Sequence, residues 1–176
     1  MKKIIFLILF IGIGIISICA QDGIIDANYI QKSLPINLQH ILRVNSIQLN
    51  ESYKPTIEAF DSAVTIFAQH IESNKVCDIV FATYPFSLNF GQHNIKLTSK
   101  VNDLLGISLI QNNLIFYDIT KIKNYEFDFQ VVCFLEELVH LYCGTYDEWL
   151  ARNIVSLLYP KVVYENGVYK INPNYK

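Results

Sequence analysis

Glu136, Glu137 and His140 lie in the middle of a run, FQVVCFLEELVHLYC (residues 129–143), that is otherwise almost wholly apolar. Such a run predicts a helix buried on most faces. Burying a lone carboxylate is costly enough that buried charges are normally paired or bound to metal. In a helix Glu136 and His140, four residues apart, share one face with their Cβ atoms about 6 Å apart. Glu137 and His140, three apart, are neighbours too. One helix would thus offer two ligands to a cation and a third group to a water bound on it. Gly144 ends the helix, and Thr145-Tyr146-Asp147-Glu148 starts a second. A sharp turn there would fold the second helix back on the first, so that Glu148 or Asp147 supplies a third oxygen ligand. A purely structural role is also open. Thr145 with Glu148 fits a capping box, and Glu148 and Arg152 are spaced to pair along one helix.

Glu136-Glu137-Leu138-Val139-His140, followed by Gly144 and by Asp147-Glu148-Trp149-Leu150-Ala151, resembles the active-site stretch of zincin metallopeptidases, most of all the small gluzincin-type members. In that family H-E-x-x-H on one helix supplies two zinc-binding histidines and a catalytic Glu, and a Glu on the following helix is the third ligand. The resemblance implies that Glu137 is the catalytic general base, His140 the second histidine ligand and Glu148 the third ligand. It implies zinc, or another divalent cation, as cofactor. It covers about a tenth of the chain and extends to architecture, with a hairpin at 107–119 ahead of the two helices. This sequence departs from the pattern at Glu136, which stands where the family has its first histidine. A Glu136–His140–Glu148 metal site is chemically allowed, because zinc accepts carboxylate oxygen. It would favour harder cations and activate water less well. The resemblance therefore implies a degenerate metallopeptidase-like protein whose peptidase activity is lost rather than kept. If kept, it would be metal-dependent peptide hydrolysis with Glu137 taking the proton from metal-bound water. The alternative is a non-catalytic binding module of the same fold for a peptide or protein partner, with the edge of the 107–119 hairpin aligning an extended peptide.

Other candidates carry less. Glu136, His140 and Cys143 would share a helix face and could form a mixed nitrogen, oxygen and sulfur site. Cys133 could join Glu137 and His140 in the same way. Cys77, Cys133 and Cys143 are an odd number, and Cys133 and Cys143 would be about 15 Å apart along one helix, beyond disulfide reach. They read as buried free thiols. His70 reads as structural and His93 as a loop residue.

The N-terminus explains where such a protein would act. Met1-Lys2-Lys3 precedes a run of about 15 apolar residues, Ile4 to Ile18, and Ala20 precedes Gln21-Asp22. The run is short for a bilayer span, which needs about 20, and fits a secretory signal peptide over residues 1–20. An uncleaved anchor and a lipoprotein signal acylated at Cys19 are the alternatives. Ile18 is large for the position before a lipidated cysteine. A secreted or periplasmic protein, with no stable membrane span after signal removal, is expected. Residues 21–176 are expected to form a single domain. The chain has 14 basic and 16 acidic residues and 52% hydrophobic residues, which excludes a disordered charged tail and leaves no basic footprint for nucleic acid.

The elements that must hold the site read as α+β. A short helix is expected near 36–44. Pro55 opens an amphipathic helix with Ile57, Phe60, Val64, Phe67 and Ile71 on one stripe, closed by Ser73-Asn74. Val76 to Thr83 reads as a buried strand, Asn94 to Thr98 as a second, and Ser99 to Leu105 as a short helix stopped by Gly106. A hairpin (107–119) forms a small antiparallel sheet around an Asn-Asn turn. A loop leads to helices at 129–143 and 146–158, and a terminal hairpin turns at Glu165-Asn166-Gly167.

Overall fold

The computed structural model describes residues 24–46, 49–82, 87–90, 95–98 and 104–175. The expected signal peptide, and most of the helix expected at 99–105, lie outside the described residues. In chain order the elements are β1 (Ile24–Ile25), α1 (Ala27–Ser33), β2 (Leu42–Ser46), β3 (Leu49–Asn50), α2 (Lys54–Ala68), β4 (Cys77–Ala82), β5 (Ser87–Phe90), β6 (Ile95–Thr98), β7 (Gly106–Leu109), β8 (Leu114–Asp118), α3 (Ile119–Ile122), α4 (Phe127–Cys143), α5 (Glu148–Leu158), β9 (Val162–Glu165) and β10 (Val168–Ile171). The class is α+β, with the expected pair of C-terminal helices and terminal hairpin. No described helix is long and apolar enough to cross a membrane.

The central sheet has the order β2-β4-β8-β7. The expected hairpin is present as β7 and β8, antiparallel, with Asn113 in the left-handed region at φ 51°. The sheet is nonetheless mixed, because β4 runs parallel to both β2 and β8. All six residues of β4 are buried. A continuous apolar run such as VCDIVFAT suits this position, since parallel strands are covered on both faces. One face carries Ile79, Phe81, Ile115 and Tyr117 beneath α2 and α4. Val80, Ala82, Leu114 and Phe116 face the other way with Ile107 and Leu109.

Aromatic rings lock the helices to the sheet. Phe60 of α2 meets Phe81 edge-on at 4.9 Å, and Phe134 of α4 meets Tyr117 at 4.9 Å. The Tyr117 hydroxyl donates to the Phe134 carbonyl at 2.9 Å. That bond satisfies a polar tip inside the core and fixes α4 lengthwise against β8.

Four expectations are corrected. The helix expected near 36–44 is absent. Leu34 before Pro35 is extended at ψ 147°, as a residue preceding proline is pushed to be. The helix lies upstream as α1, capped by Asp26, which accepts from Tyr29 N at 2.8 Å, and Leu42 onward joins the sheet. Next, α2 ends at Ala68 rather than at Ser73, because His70 N turns back to Phe67 O at 3.1 Å, and Ile71 packs on the core from beyond the helix. Third, Leu104 and Leu105 are not helical and Gly106 opens β7. A Cβ there would lie 2.8 Å from Glu137 Cγ, so the glycine permits close contact between β7 and α4. Fourth, Cys143 is exposed rather than buried, whereas Cys77 is buried and Cys133 half-buried; all three are free.

Candidate functional site

Helix α4 is buried along most of its length, with Phe134, Leu135, Leu138, Val139 and Leu141 all at 0% exposure. It ends at Gly144, whose φ of 64° lets the chain reverse without a Cβ penalty. The reversal returns the Thr145 carbonyl to His140, 2.8 Å from Nδ1. A carbonyl only accepts, so His140 carries a proton on Nδ1, and the neutral ring would present its Nε2 lone pair. Metal-binding histidines are held in this manner.

The same turn starts α5, but not with the expected cap. Asp147 is the N-cap and accepts from Leu150 N at 3.0 Å, while Thr145 Oγ1 accepts from Asp147 N at 3.0 Å. Asp147 is therefore occupied as a cap and is not a third ligand, and Thr145 with Glu148 forms no capping box. Glu148, the first residue of α5, turns toward α4. Its Oε1 lies 3.7 Å from His140 Nε2. Ligand-type atoms of Glu136, His140 and Glu148 lie within 4.8 Å of one another. The three residues singled out as metal ligands are thus brought together, while Cys133 and Cys143 stand outside the group.

Sequence reasoning missed what fills the space between the carboxylates. Arg152 donates from Nε to Glu136 Oε1 at 3.1 Å and from Nη2 to Glu148 Oε2 at 2.9 Å. The expected Glu148–Arg152 pair is present, but Arg152 serves Glu136 as well. The second oxygen of Glu136 accepts from the Tyr169 hydroxyl of β10 at 2.8 Å. Burial pushes the Glu136 carboxyl above its ordinary range, against the opposing pull of the Tyr169 hydrogen bond and Arg152. Only the i, i+4 spacing of Glu148 and Arg152 could have been read locally. Glu136 is 16 residues from Arg152 and 33 from Tyr169.

As arranged, this donor set does not fit a divalent cation. His140 Nε2 is well presented, but a metal bound to both carboxylates at about 2.0–2.2 Å would have to displace the guanidinium that joins them.

Glu137 leaves α4 on the side of β7. Ser108 Oγ is 2.7 Å from Glu137 Oε2 and 2.7 Å from the Glu137 carbonyl. Gly106 and Ser108, two apart on the strand, face α4 together. Burial raises the Glu137 carboxyl from 4.5 to about 7, against the lowering effects of the Ser108 hydrogen bond and of His140. Glu137 and the Glu136–His140–Glu148 group with Arg152 line a cavity of about 840 Å³ walled by β7, α4 and the C-terminal hairpin, with Ile107, Phe129 and Val168 among its apolar faces. Concave, largely apolar sites with a few converging polar groups are the usual form of ligand pockets. Tyr164 and Tyr169, whose rings are 5.4 Å apart, also line it. The hairpin turns at Asn166 and Gly167, both at positive φ. No family model, no curated protein and no solved structure matches this chain.

Proposed function

We propose that this chain is an exported, metallopeptidase-like protein, secreted or periplasmic, that binds an extended peptide segment and has lost the power to hydrolyse it. The observation that carries the proposal is the position of β7. It ends the four-stranded sheet and walls the cavity into which Glu137 and His140 also face. A sheet edge beside an apolar cavity suits strand addition, in which main-chain bonds give affinity and a pocket takes a side chain.

Loss of hydrolysis is supported by the guanidinium between Glu136 and Glu148. Arg152 offers one positive charge to both carboxylates, but a guanidinium is not a Lewis acid and cannot coordinate water and lower its pKa as a metal does. The poise of Glu137 would suit proton abstraction as well as binding, so the loss of hydrolysis rests on Arg152. A carboxyl raised to about 7 is protonated in about half the molecules at neutral pH, and the protonated form can donate to a peptide carbonyl.

The test is a binding screen of unstructured peptides against the purified chain, with products followed by mass spectrometry. Saturable binding is expected, with slowed hydrogen exchange at 106–109, no cleavage, and no change on adding chelator. Cleavage that zinc restores and chelator abolishes would overturn the loss of activity. Absence of binding, or binding without protection at 106–109, would overturn the docking mode.

A further inference from the structure

We infer that Arg152 is a built-in counter-ion that closes a latent divalent-cation site, and that removing its guanidinium opens that site to metal through Glu136, His140 and Glu148. Two independent observations carry this. The first is the geometry of the guanidinium, with its Nε on Glu136 and its Nη2 on Glu148, at 3.1 and 2.9 Å. The second is His140. Its side chain is 7% exposed, its Nδ1 is committed to the Thr145 carbonyl, and its Nε2 faces Glu148 Oε1 at 3.7 Å, an ion-pair distance rather than a hydrogen bond. A deeply buried imidazole nitrogen and two carboxylates whose ligand-type atoms lie within 4.8 Å of one another make a ligand arrangement whose cation is the Arg152 guanidinium. Peptide binding plays no part in this inference.

The charges explain why one residue is enough. With Arg152 present, two carboxylates share one positive charge, and entry of a dication requires ejecting a guanidinium that also lies 5.6 Å from the Tyr164 ring. Without it, two carboxylates and a neutral imidazole face one another within 4.8 Å, which is the composition of a three-ligand zinc site. The Tyr169 hydroxyl can stay on Glu136 Oε2, leaving Oε1 for the metal and orienting the carboxylate from outside, as outer-shell partners do. Lysine at 152 would keep a positive charge in the cluster and should keep the site closed.

The experiment uses tag-free full-length wild type, Arg152→Met, Arg152→Lys and the double variant Arg152→Met/His140→Ala. Each is saturated with zinc, desalted, and measured for metal content and melting temperature. Arg152→Met keeps an apolar stem in contact with the hairpin. About one zinc per chain is expected in Arg152→Met, with none in the other three. Zinc at about 100-fold over its dissociation constant should raise the melting temperature of Arg152→Met by about 5–10 °C. A wild type that binds zinc as tightly as Arg152→Met would overturn the inference. So would an Arg152→Met that binds none, or one that still binds after His140→Ala. Failure of Arg152→Met to fold even with zinc supplied counts against it too, since the cation is claimed to replace the guanidinium's charge. Metal uptake without peptide binding would leave the inference standing and count only against the peptide-binding proposal.

Discussion

Replacing Glu137 with glutamine should raise stability only above the pH at which this carboxyl ionises in the unfolded chain, about 4.5. The side chain is buried between α4 and β7 with Ser108 as its hydrogen-bond partner, and burial moves its carboxyl from 4.5 to about 7. That displacement corresponds to about 3 kcal/mol against the ionised form in the folded protein. The sign follows from linkage. A group raised on folding contributes stability that is fully present below pH 4.5 and is lost as pH rises through about 7. Glutamine has nearly the same shape, can still accept from Ser108, and never ionises. Urea unfolding of both proteins from pH 4.5 to 8.5 should therefore give curves that lie close together at acid pH. They should separate steadily from about pH 4.5 to 7 and run parallel above that, with Glu137→Gln the more stable by up to about 3 kcal/mol at pH 8.5. Taking the difference between the two proteins cancels other groups that titrate equally in both. A difference that does not vary with pH would refute the reasoning, because it would mean that Glu137 reaches water or finds a cation when ionised.

Three further outcomes follow from packing and charge. Gly106→Ala places a Cβ 2.8 Å from Glu137 Cγ and should cost about 1–3 kcal/mol by overpacking. It should also disturb the Glu137–Ser108 contact, visible as a changed pH profile in the same unfolding assay. Phe134→Ala removes a fully buried ring that packs on Phe60 at 5.3 Å and on Tyr117 at 4.9 Å; it should destabilise by about 3–5 kcal/mol, read from the urea midpoint at constant slope. Asp61 of α2, which accepts from Ser33, is raised by burial from 3.8 to about 6. Asp61→Asn should thus gain stability relative to wild type as pH rises from about 4 through 6, a trend that thermal melts across that range would show.

What was legible in the sequence was local. The apolar run around Glu136, Glu137 and His140, the Gly144 break and the second helix needed only spacing within a few residues, and the Asn-Gly turn of the last hairpin announced itself in the same way. The stripe Ile57, Phe60, Val64 and Phe67 identified the buried face of α2. Failures came where a tertiary partner decided. Leu42 to Ser46 joined a sheet edge whose parallel partner lies 35 positions on in its register, as Arg43 with Asp78 shows. The capping residue of α5 moved from Thr145 to Asp147, both good cap formers, because the Gly144 turn engages the Thr145 carbonyl with His140. Glu136 carried a signal that could be read only in part. A carboxylate inside an apolar helix announces that some cation is near, but spacing along one helix cannot tell a metal from a guanidinium supplied by the next. Tyr169 and Ser108 reach the site from separate strands, and nothing in their own neighbourhoods marks them.

The account rests most heavily on the guanidinium of Arg152 lying between Glu136 and Glu148. Nitrogen-15 NMR of the arginine Nε–H groups tests that placement directly, because the chain has only two arginines, Arg43 and Arg152. Arg43 is 60% exposed and should exchange its Nε–H rapidly with water. The account predicts a second, slowly exchanging Nε–H resonance assigned to Arg152, unchanged by equimolar zinc and lost or shifted in Glu136→Gln. An Arg152 Nε–H that exchanges as fast as that of Arg43, or one released when zinc is added to the wild type, would contradict it.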